Sequence, residues 1–198
     1  RSGVKTVKSL PTSHLPVRIA GEITDFDGKQ FITPRKSLKV MSREIQLAVA
    51  SAALAINRAE FSAGGVAPER FGVVFGADMM HAPADELESA YRASCVEGRF
   101  DFRRWGEAAM REIYPLWMLK YLPNMLACHV TIIHDCQGPS NTITCAEASS
   151  LLSIGESLRV IGRDDADACI SGGAESKTNL MGMLRQHYAR RVATTSPG

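Results

Sequence analysis

The pattern that most constrains the fold of this chain is a strand–helix–strand succession near its end. Residues 140–146 are typical of a strand, 147–162 of a helix that ends at Gly162, and 166–173 of a second strand. A strand, a helix of this length and a further strand make a βαβ unit, which requires a parallel sheet. Apolar residues recur at helical spacing along 147–162, so we expect them to face the sheet. They are Leu151, Leu152, Gly155, Leu158 and Ile161.

Three earlier segments extend this α/β prediction. Residues 37–60 are predicted to be an amphipathic helix that stops at Ala63-Gly64-Gly65, and 71–77 (FGVVFGA) a buried strand. Residues 128–134 (CHVTIIH) are rich in β-branched side chains, which predicts another strand. The apolar positions of the first helix are Ile45, Ala48, Val49, Ala52 and Ile56.

The composition is that of an ordinary globular protein. Of the 198 residues, 45% are apolar and 22% charged, which excludes disorder and a simple coiled coil. The net charge of +2 is too small to indicate nucleic acid as the main partner, and no run of about 18 apolar residues predicts a membrane span. We predict an irregular N-terminal arm over 1–36 and an α/β domain over 37–198.

The cysteines point to a reducing compartment and not to a metal site. Their number is five, they include no CxxC pair, and we therefore expect a cytoplasmic protein without disulfides. Cys128 and His134 resemble metal ligands, but on a strand they would lie roughly 20 Å apart. We predict neither a metal nor a cofactor.

Basic residues are concentrated near the start. Residues 1–50 contain nine Lys and Arg against four Asp and Glu. Four of these cations have helical spacing, which predicts that they lie on one side of a helix. The simplest interpretation is that this side is a solvated helix face. They are Arg35, Lys36, Lys39 and Arg43.

The junction before the βαβ helix is the predicted site. Ligands and nucleophiles collect where a strand ends and a helix begins, because the free N–H groups and the helix dipole stabilise an anion there. Cys145 and Glu147 occupy this junction. The simplest alternatives are structural: Glu147 favours a helix N-terminus by ~0.3–1 kcal/mol, and Cys145 is a small buried residue.

Short motifs on both sides of this junction occur in a recognisable order. After it come the segments 154–156 (IGE), 165–168 (DADA) and 172–175 (GGAE), and before it 138–143 (GPSNTI). Further upstream lie 16–22 (PVRIAGE), 25–27 (DFD), 72–76 (GVVFG) and 123–130 (PNMLACHV).

These motifs resemble those of the β-ketoacyl-acyl-carrier-protein synthases, in particular the second type of 3-oxoacyl-acyl-carrier-protein synthase. The resemblance implies the N-terminal half of a thiolase-like α/β fold, built of helices on a mixed, mostly parallel sheet, and a dimer. In that family an acyl group moves to a cysteine and then undergoes decarboxylative condensation with a malonyl thioester. The resemblance places the family's first strand before Arg1 and its catalytic histidines and lysine after Gly198. His14, His81, His129, His134 and His187 match none of them.

One departure from the family matters most. When the chain is aligned without a gap to the family motif that it resembles, Glu147 falls at the position of the nucleophilic cysteine. Cys145 then lies two positions earlier, and Ser149 falls on the family's serine. A carboxylate is a weaker nucleophile toward a thioester, and the mixed anhydride it would form is labile.

Three interpretations follow. In the first the protein is condensation-deficient, either a non-catalytic partner subunit resembling a chain length factor or a decarboxylase of malonyl-carrier thioesters. In the second Cys145 is a displaced nucleophile. In the third Glu147 is the general base of a different reaction on a bound acyl thioester.

The resemblance also implies partners. We expect an acyl carrier protein with its phosphopantetheine thioester, and a homodimer or a heterodimer with a synthase paralogue. Carrier proteins are acidic, and family members bind them through basic residues on the equivalent helix. Arg35, Lys36 and Lys39 are therefore the predicted docking residues.

Overall fold

The computed structural model describes residues 3–59 and 65–193, which form two compact units. One unit contains residues 3–26, 81–115 and 176–193, and the other the remaining described residues. Glu60 and the Ala63-Gly64 helix stop lie outside the described residues. In chain order the elements are β1 (Val4–Thr6), β2 (Ile19–Gly21), α1 (Arg43–Arg58), β3 (Phe71–Gly76), α2 (Glu88–Ala93), β4 (Cys95–Val96), β5 (Arg99–Phe100), α3 (Phe102–Glu112), α4 (Met125–His134), β6 (Ser140–Ile143), α5 (Ser149–Gly162), β7 (Ala168–Gly173) and α6 (Leu180–Tyr188).

A three-stranded parallel sheet is the centre of the larger unit. Its order is β6-β3-β7, and every residue of β3 is buried. Gly76 at the end of β3 is in register with Ile143 of β6 and with Gly173 of β7, so the three strands finish at one edge. The predicted parallel sheet and βαβ unit are confirmed, with β3 lying between the two strands that the unit connects.

Helix α1 buries the face that its sequence predicts. Ile45, Ala48, Val49 and Ala52 are buried in the main core, and Ile56 is half-buried. The Ser42 hydroxyl accepts a hydrogen bond from the Ile45 N–H and caps the helix. The predicted start at residue 37 is wrong, because Arg35–Val40 form a separate 3-10 helix and Met41 is extended.

Helix α5 is present as predicted, but its buried face is a different one. Ser149, Ser153, Ser157 and Val160 are buried, and the Ser153 hydroxyl donates to the Gly172 carbonyl of β7 over 2.9 Å. The predicted face points outward, with Leu151 72% and Leu158 68% exposed. Small side chains let this helix lie close to the sheet. A Cβ added to Gly76 would be only 2.3 Å from the Ser149 backbone.

Residues 128–134 are helical, so the predicted strand is wrong. They belong to α4, whose buried residues Leu126, Ala127, His129 and Val130 follow the i, i+3, i+4 spacing of a helix face. Packing of that face on the core outweighs the strand preference of the β-branched residues. The strand-based distance between Cys128 and His134 therefore does not apply. Within residues 3–59 and 65–193, no group of three or more His, Cys, Asp or Glu side chains is placed to hold a metal ion.

The other unit has a small core and two short strand pairs. β1 and β2 pair antiparallel within the region predicted to be an irregular arm, and Val7, Val17 and Met183 form the core beside them. A β4–β5 hairpin lies between α2 and α3. In the described ranges no helix combines the length and the hydropathy that a membrane crossing requires.

Candidate functional site

A pocket of about 170 Å³ lies at the edge where the three parallel strands end. Three segments line it: Gly76 to Asp78 at the end of β3, Gly173 to Glu175 at the end of β7, and Ala146 to Ser150 without Ala148 at the start of α5. The carboxyl ends of parallel strands lie at one edge of the sheet, and α5 begins at the same edge. The topology of the sheet therefore creates this concave site. The pocket therefore occupies the predicted junction.

A tight turn connects β6 to α5 and holds the residue at position 147. Ala146 has a left-handed backbone with φ 45°, which is uncommon for a residue other than glycine. The Ser149 hydroxyl closes the turn, because it accepts from the Cys145 N–H over 2.8 Å and donates to the Ala146 carbonyl over 2.6 Å. The buried Ser149 thus fixes the path of the chain on both sides of Glu147.

Glu147 lies in the pocket wall. It belongs to the short 3-10 turn Ala146–Ala148 that leads into α5, and its side chain is exposed to solvent. The N-terminal end of a helix of 14 residues favours a carboxylate at this place. The predicted position of Glu147 at a helix N-terminus is confirmed.

Cys145 is placed differently from Glu147. Strand β6 ends at Ile143, so Cys145 is in the turn, and it is not among the residues that line the pocket. The structural alternative of a small buried residue is wrong, because Cys145 is exposed.

Two pocket residues are absent from the sequence-predicted site. Asp78 follows β3 and Glu175 follows β7, and both line the pocket. The sequence contains a signal for each, since each comes one or two residues after a predicted strand of a parallel sheet. The carboxyl ends of such strands meet at one edge, which would have placed these side chains near Glu147.

Glu175 interacts electrostatically with a buried carboxyl group, that of Glu44. Glu44 is in the first turn of α1 and only 6% exposed. Burial raises the pKa of the Glu44 carboxyl, and the electrostatic interaction with Glu175 raises this pKa further, against hydrogen bonds to the backbone and to Ser42 that lower it. This end of the unit therefore accumulates acidic groups.

The predicted docking residues are exposed but lie apart from the pocket lining. Arg35, Lys36 and Lys39 are on the 3-10 helix before α1. Residues three apart eclipse one another in a 3-10 helix, so Lys36 and Lys39 share one side. Arg43 is in α1, beyond the extended Met41, and is not part of that side.

Comparison with protein families decides the family. The N-terminal domain of beta-ketoacyl synthases matches residues 1–197, nearly the whole chain. The chain belongs to the beta-ketoacyl synthase family. This ketosynthase-family chain is 30% identical to the 3-oxoacyl-(acyl-carrier-protein) synthase 2 of Coxiella burnetii and 25% identical to that of Vibrio cholerae. Each match covers 98% of this chain and 44% of the relative, so the chain spans less than half the length of these relatives.

Solved structures of similar proteins agree on the fold. A beta-ketoacyl synthase from Burkholderia phymatum superposes with a TM-score of 0.74 at 20% identity, over 98% of this chain and 44% of that one. The ishigamide ketosynthase/chain length factor gives 0.75 at 20% identity, over 96% and 44%. A type II polyketide synthase acyl-carrier protein in complex with its ketosynthase gives 0.69 at 15% identity, over 85% and 44%. The predicted thiolase-like fold is confirmed.

Proposed function

We propose that this chain is part of a condensation-deficient ketosynthase-family protein of fatty acid or polyketide synthesis. It binds carrier-bound acyl thioesters without forming an acyl-enzyme. The observation that carries this proposal is the wall of the pocket, where Glu147 is present and Cys145 is not. No thiol of the described residues lines the pocket, so a thioester bound there meets a carboxylate.

The chemistry of the two side chains supports the proposal. A thiolate attacks a thioester readily, whereas a carboxylate is a weak nucleophile and gives a labile anhydride. Cys145 does not line the pocket, so an acyl group bound there would meet Glu147 and not the Cys145 thiol. A displaced nucleophile at Cys145 is therefore the less favoured interpretation.

The role of such a protein is that of a partner subunit. We propose that it pairs with a cysteine-bearing paralogue, as a chain-length-factor-like subunit, or forms a homodimer. The alternative roles are decarboxylation of a malonyl-carrier thioester and general-base catalysis by Glu147. A gene for a cysteine-bearing paralogue beside this one supports the partner role, and a solitary gene supports an independent enzyme.

An acyl carrier protein is the proposed partner, with Arg35, Lys36 and Lys39 as its docking residues. All three are exposed, and basic residues attract an acidic carrier over a range set by salt. We also place the protein in the cytoplasm, since its five cysteines are all unpaired.

Intact-mass spectrometry of the full-length protein tests the missing acyl-enzyme. After incubation with an acyl-carrier thioester we expect no acyl adduct on the unaltered protein and an adduct at position 147 in Glu147→Cys. The matched control, Glu156→Cys, introduces the same thiol on α5 away from the pocket and should remain unmodified there. An adduct that maps to Cys145 in the unaltered protein would falsify the proposal.

Charge reversal tests the docking residues. The triple variant Arg35→Glu, Lys36→Glu, Lys39→Glu should bind the carrier at least about tenfold more weakly at low salt, with a flatter salt dependence. Arg99→Glu with Arg104→Glu is the control, because both are exposed arginines of the other unit. Equal affinities of the triple variant and the unaltered protein at low salt would eliminate this docking surface.

A further inference from the structure

Ser150 brings a hydroxyl group to the wall of the pocket. It is the second residue of α5, is half-buried and belongs to the residues that line the pocket. Within residues 3–59 and 65–193 its hydroxyl makes no hydrogen bond. A hydroxyl carries one donor hydrogen and two acceptor lone pairs, so this group is available to a ligand in the pocket.

The neighbouring serines of the same helix use their hydroxyl hydrogens within the protein. A serine in a helix commonly donates to a carbonyl about one turn earlier. Ser149 donates in this way to the Ala146 carbonyl over 2.6 Å, and Ser153 to the Ser150 carbonyl over 2.7 Å. The Ala146 carbonyl, which is four residues before Ser150, is therefore already occupied by Ser149. Ser150 differs from both neighbours because its hydrogen is not engaged.

The backbone that carries this hydroxyl is closely packed. A Cβ added to Gly76 would lie 2.3 Å from the Ser150 nitrogen, and a Cβ added to Gly173 would lie 3.1 Å from the Ser150 Cβ. Ser150 therefore fits directly against the ends of β3 and β7. A side chain on such a backbone is preorganised, which limits the conformational entropy that ligand binding costs.

We propose that the Ser150 hydroxyl donates a hydrogen bond to the carbonyl oxygen of the acyl thioester in the pocket and so orients the acyl group. The inference rests on the proposed function, because it assigns one ligand contact within the same site. A carbonyl oxygen can only accept. Of the two hydroxyls in the described lining, that of Ser149 already donates its hydrogen to Ala146, whereas that of Ser150 does not. Ser150 binds the ligand in this role and forms no covalent bond to it.

A pair of ligands isolates this hydrogen bond. Propionyl-pantetheine contains the thioester carbonyl, and S-propyl-pantetheine has a methylene group in its place. Calorimetry with the full-length protein gives the affinity of the thioester relative to that of the thioether. This relative affinity should fall about threefold to tenfold in Ser150→Ala, the usual effect of losing one neutral hydrogen bond. Ser51→Ala, the same exchange on α1 outside the pocket, should leave it unchanged.

Infrared spectroscopy reads the same bond directly. The ligand is propionyl-pantetheine with an isotope label at the carbonyl carbon, so that its stretching band is separated from those of the protein. A hydrogen bond lowers the stretching frequency of a carbonyl, and the band of the bound ligand should therefore lie higher in Ser150→Ala than in the unaltered protein. Ser150→Gly also removes the hydroxyl and replaces Ser150→Ala in both measurements if that variant does not fold.

The outcomes separate this inference from the proposed function. A relative affinity that stays the same without the hydroxyl, or a carbonyl band that does not rise, overturns the inference while the acyl-binding site stands. Failure of both ligands to bind the unaltered protein refutes the proposed site and the inference with it. A loss of relative affinity together with a higher carbonyl frequency in the Ser150 variant, and neither change in Ser51→Ala, supports both.

Discussion

Helices α1 and α5 have similar amphipathic sequences and bury opposite kinds of face. In α1 the aliphatic face, centred on Ile45 and Val49, is in the core. In α5 the serine face is against the sheet, and Leu151 and Leu158 are exposed. Apolar periodicity shows that a helix has an apolar face, but it does not show which surface that face meets. Where the backbone of a helix lies close to the ends of strands, as that of α5 does, small residues occupy the helix positions that face the sheet.

The largest expected effect is the difference between deleting an inner and an outer aliphatic side chain. Ile45→Ala creates a cavity in the core and should lower the free energy of unfolding by about 3 kcal/mol. Leu158→Ala removes an exposed side chain and should cost no more than ~0.5 kcal/mol. Urea denaturation of the 198-residue chain measures both. Equal costs would show that the outer face of α5 is covered in solution, for example by a second copy.

The next effect concerns the serine face. Ser153 is fully buried, so Ser153→Leu forces extra volume between α5 and β7 and should destabilise the fold by about 2 kcal/mol. Ser51→Leu, the same exchange at an exposed position of α1, should change stability by less than ~0.5 kcal/mol. Thermal unfolding of both variants gives the comparison. A harmless Ser153→Leu would mean that α5 is not seated closely on the sheet.

A smaller effect, and one that depends on pH, is expected at the start of α1. The pKa of Glu44 is raised in the folded protein, so its contribution to stability is present below the ordinary pKa of 4.5 and is lost as the pH rises through the raised value. Glu44→Gln should therefore gain stability relative to the unaltered protein between pH 4.5 and neutral pH. Denaturant titrations across this range measure the gain. Glu88→Gln, at an exposed helix position, is the control for the loss of one carboxylate. A Glu44→Gln stability difference that stays constant over this pH range would contradict the raised pKa of Glu44.

The sequence predicts the order of the elements better than their contacts. The parallel sheet, β3, α1 and the strand–helix–strand unit follow from local patterns and are confirmed. Helix α4 is missed because Val130, Thr131 and Ile132 prefer strands locally, and only packing of Leu126 and Val130 on the core reveals the helix. Which face of α5 is buried depends in the same way on the surface that the helix packs against, and no local sequence pattern describes that surface.

The site is partly predictable for the same reason. Glu147 is found because it begins a helix after a strand, and the pocket is where that pattern indicates. Asp78 and Glu175 join it only through the register of β3 and β7, which brings residues about 100 positions apart to one edge. The exposure of Cys145 depends on the turn, which the predicted strand to residue 146 does not include.

The turn before α5 has a consequence for how such a protein can change. Its shape is held by the Cys145 amide, the Ala146 carbonyl and the Ser149 hydroxyl. None of these bonds uses the side chain at position 147. A substitution at position 147 therefore changes the chemical group that is presented to the pocket and leaves these hydrogen bonds of the turn in place. A lineage can lose or regain a nucleophile there by one substitution without rebuilding the scaffold that carries it.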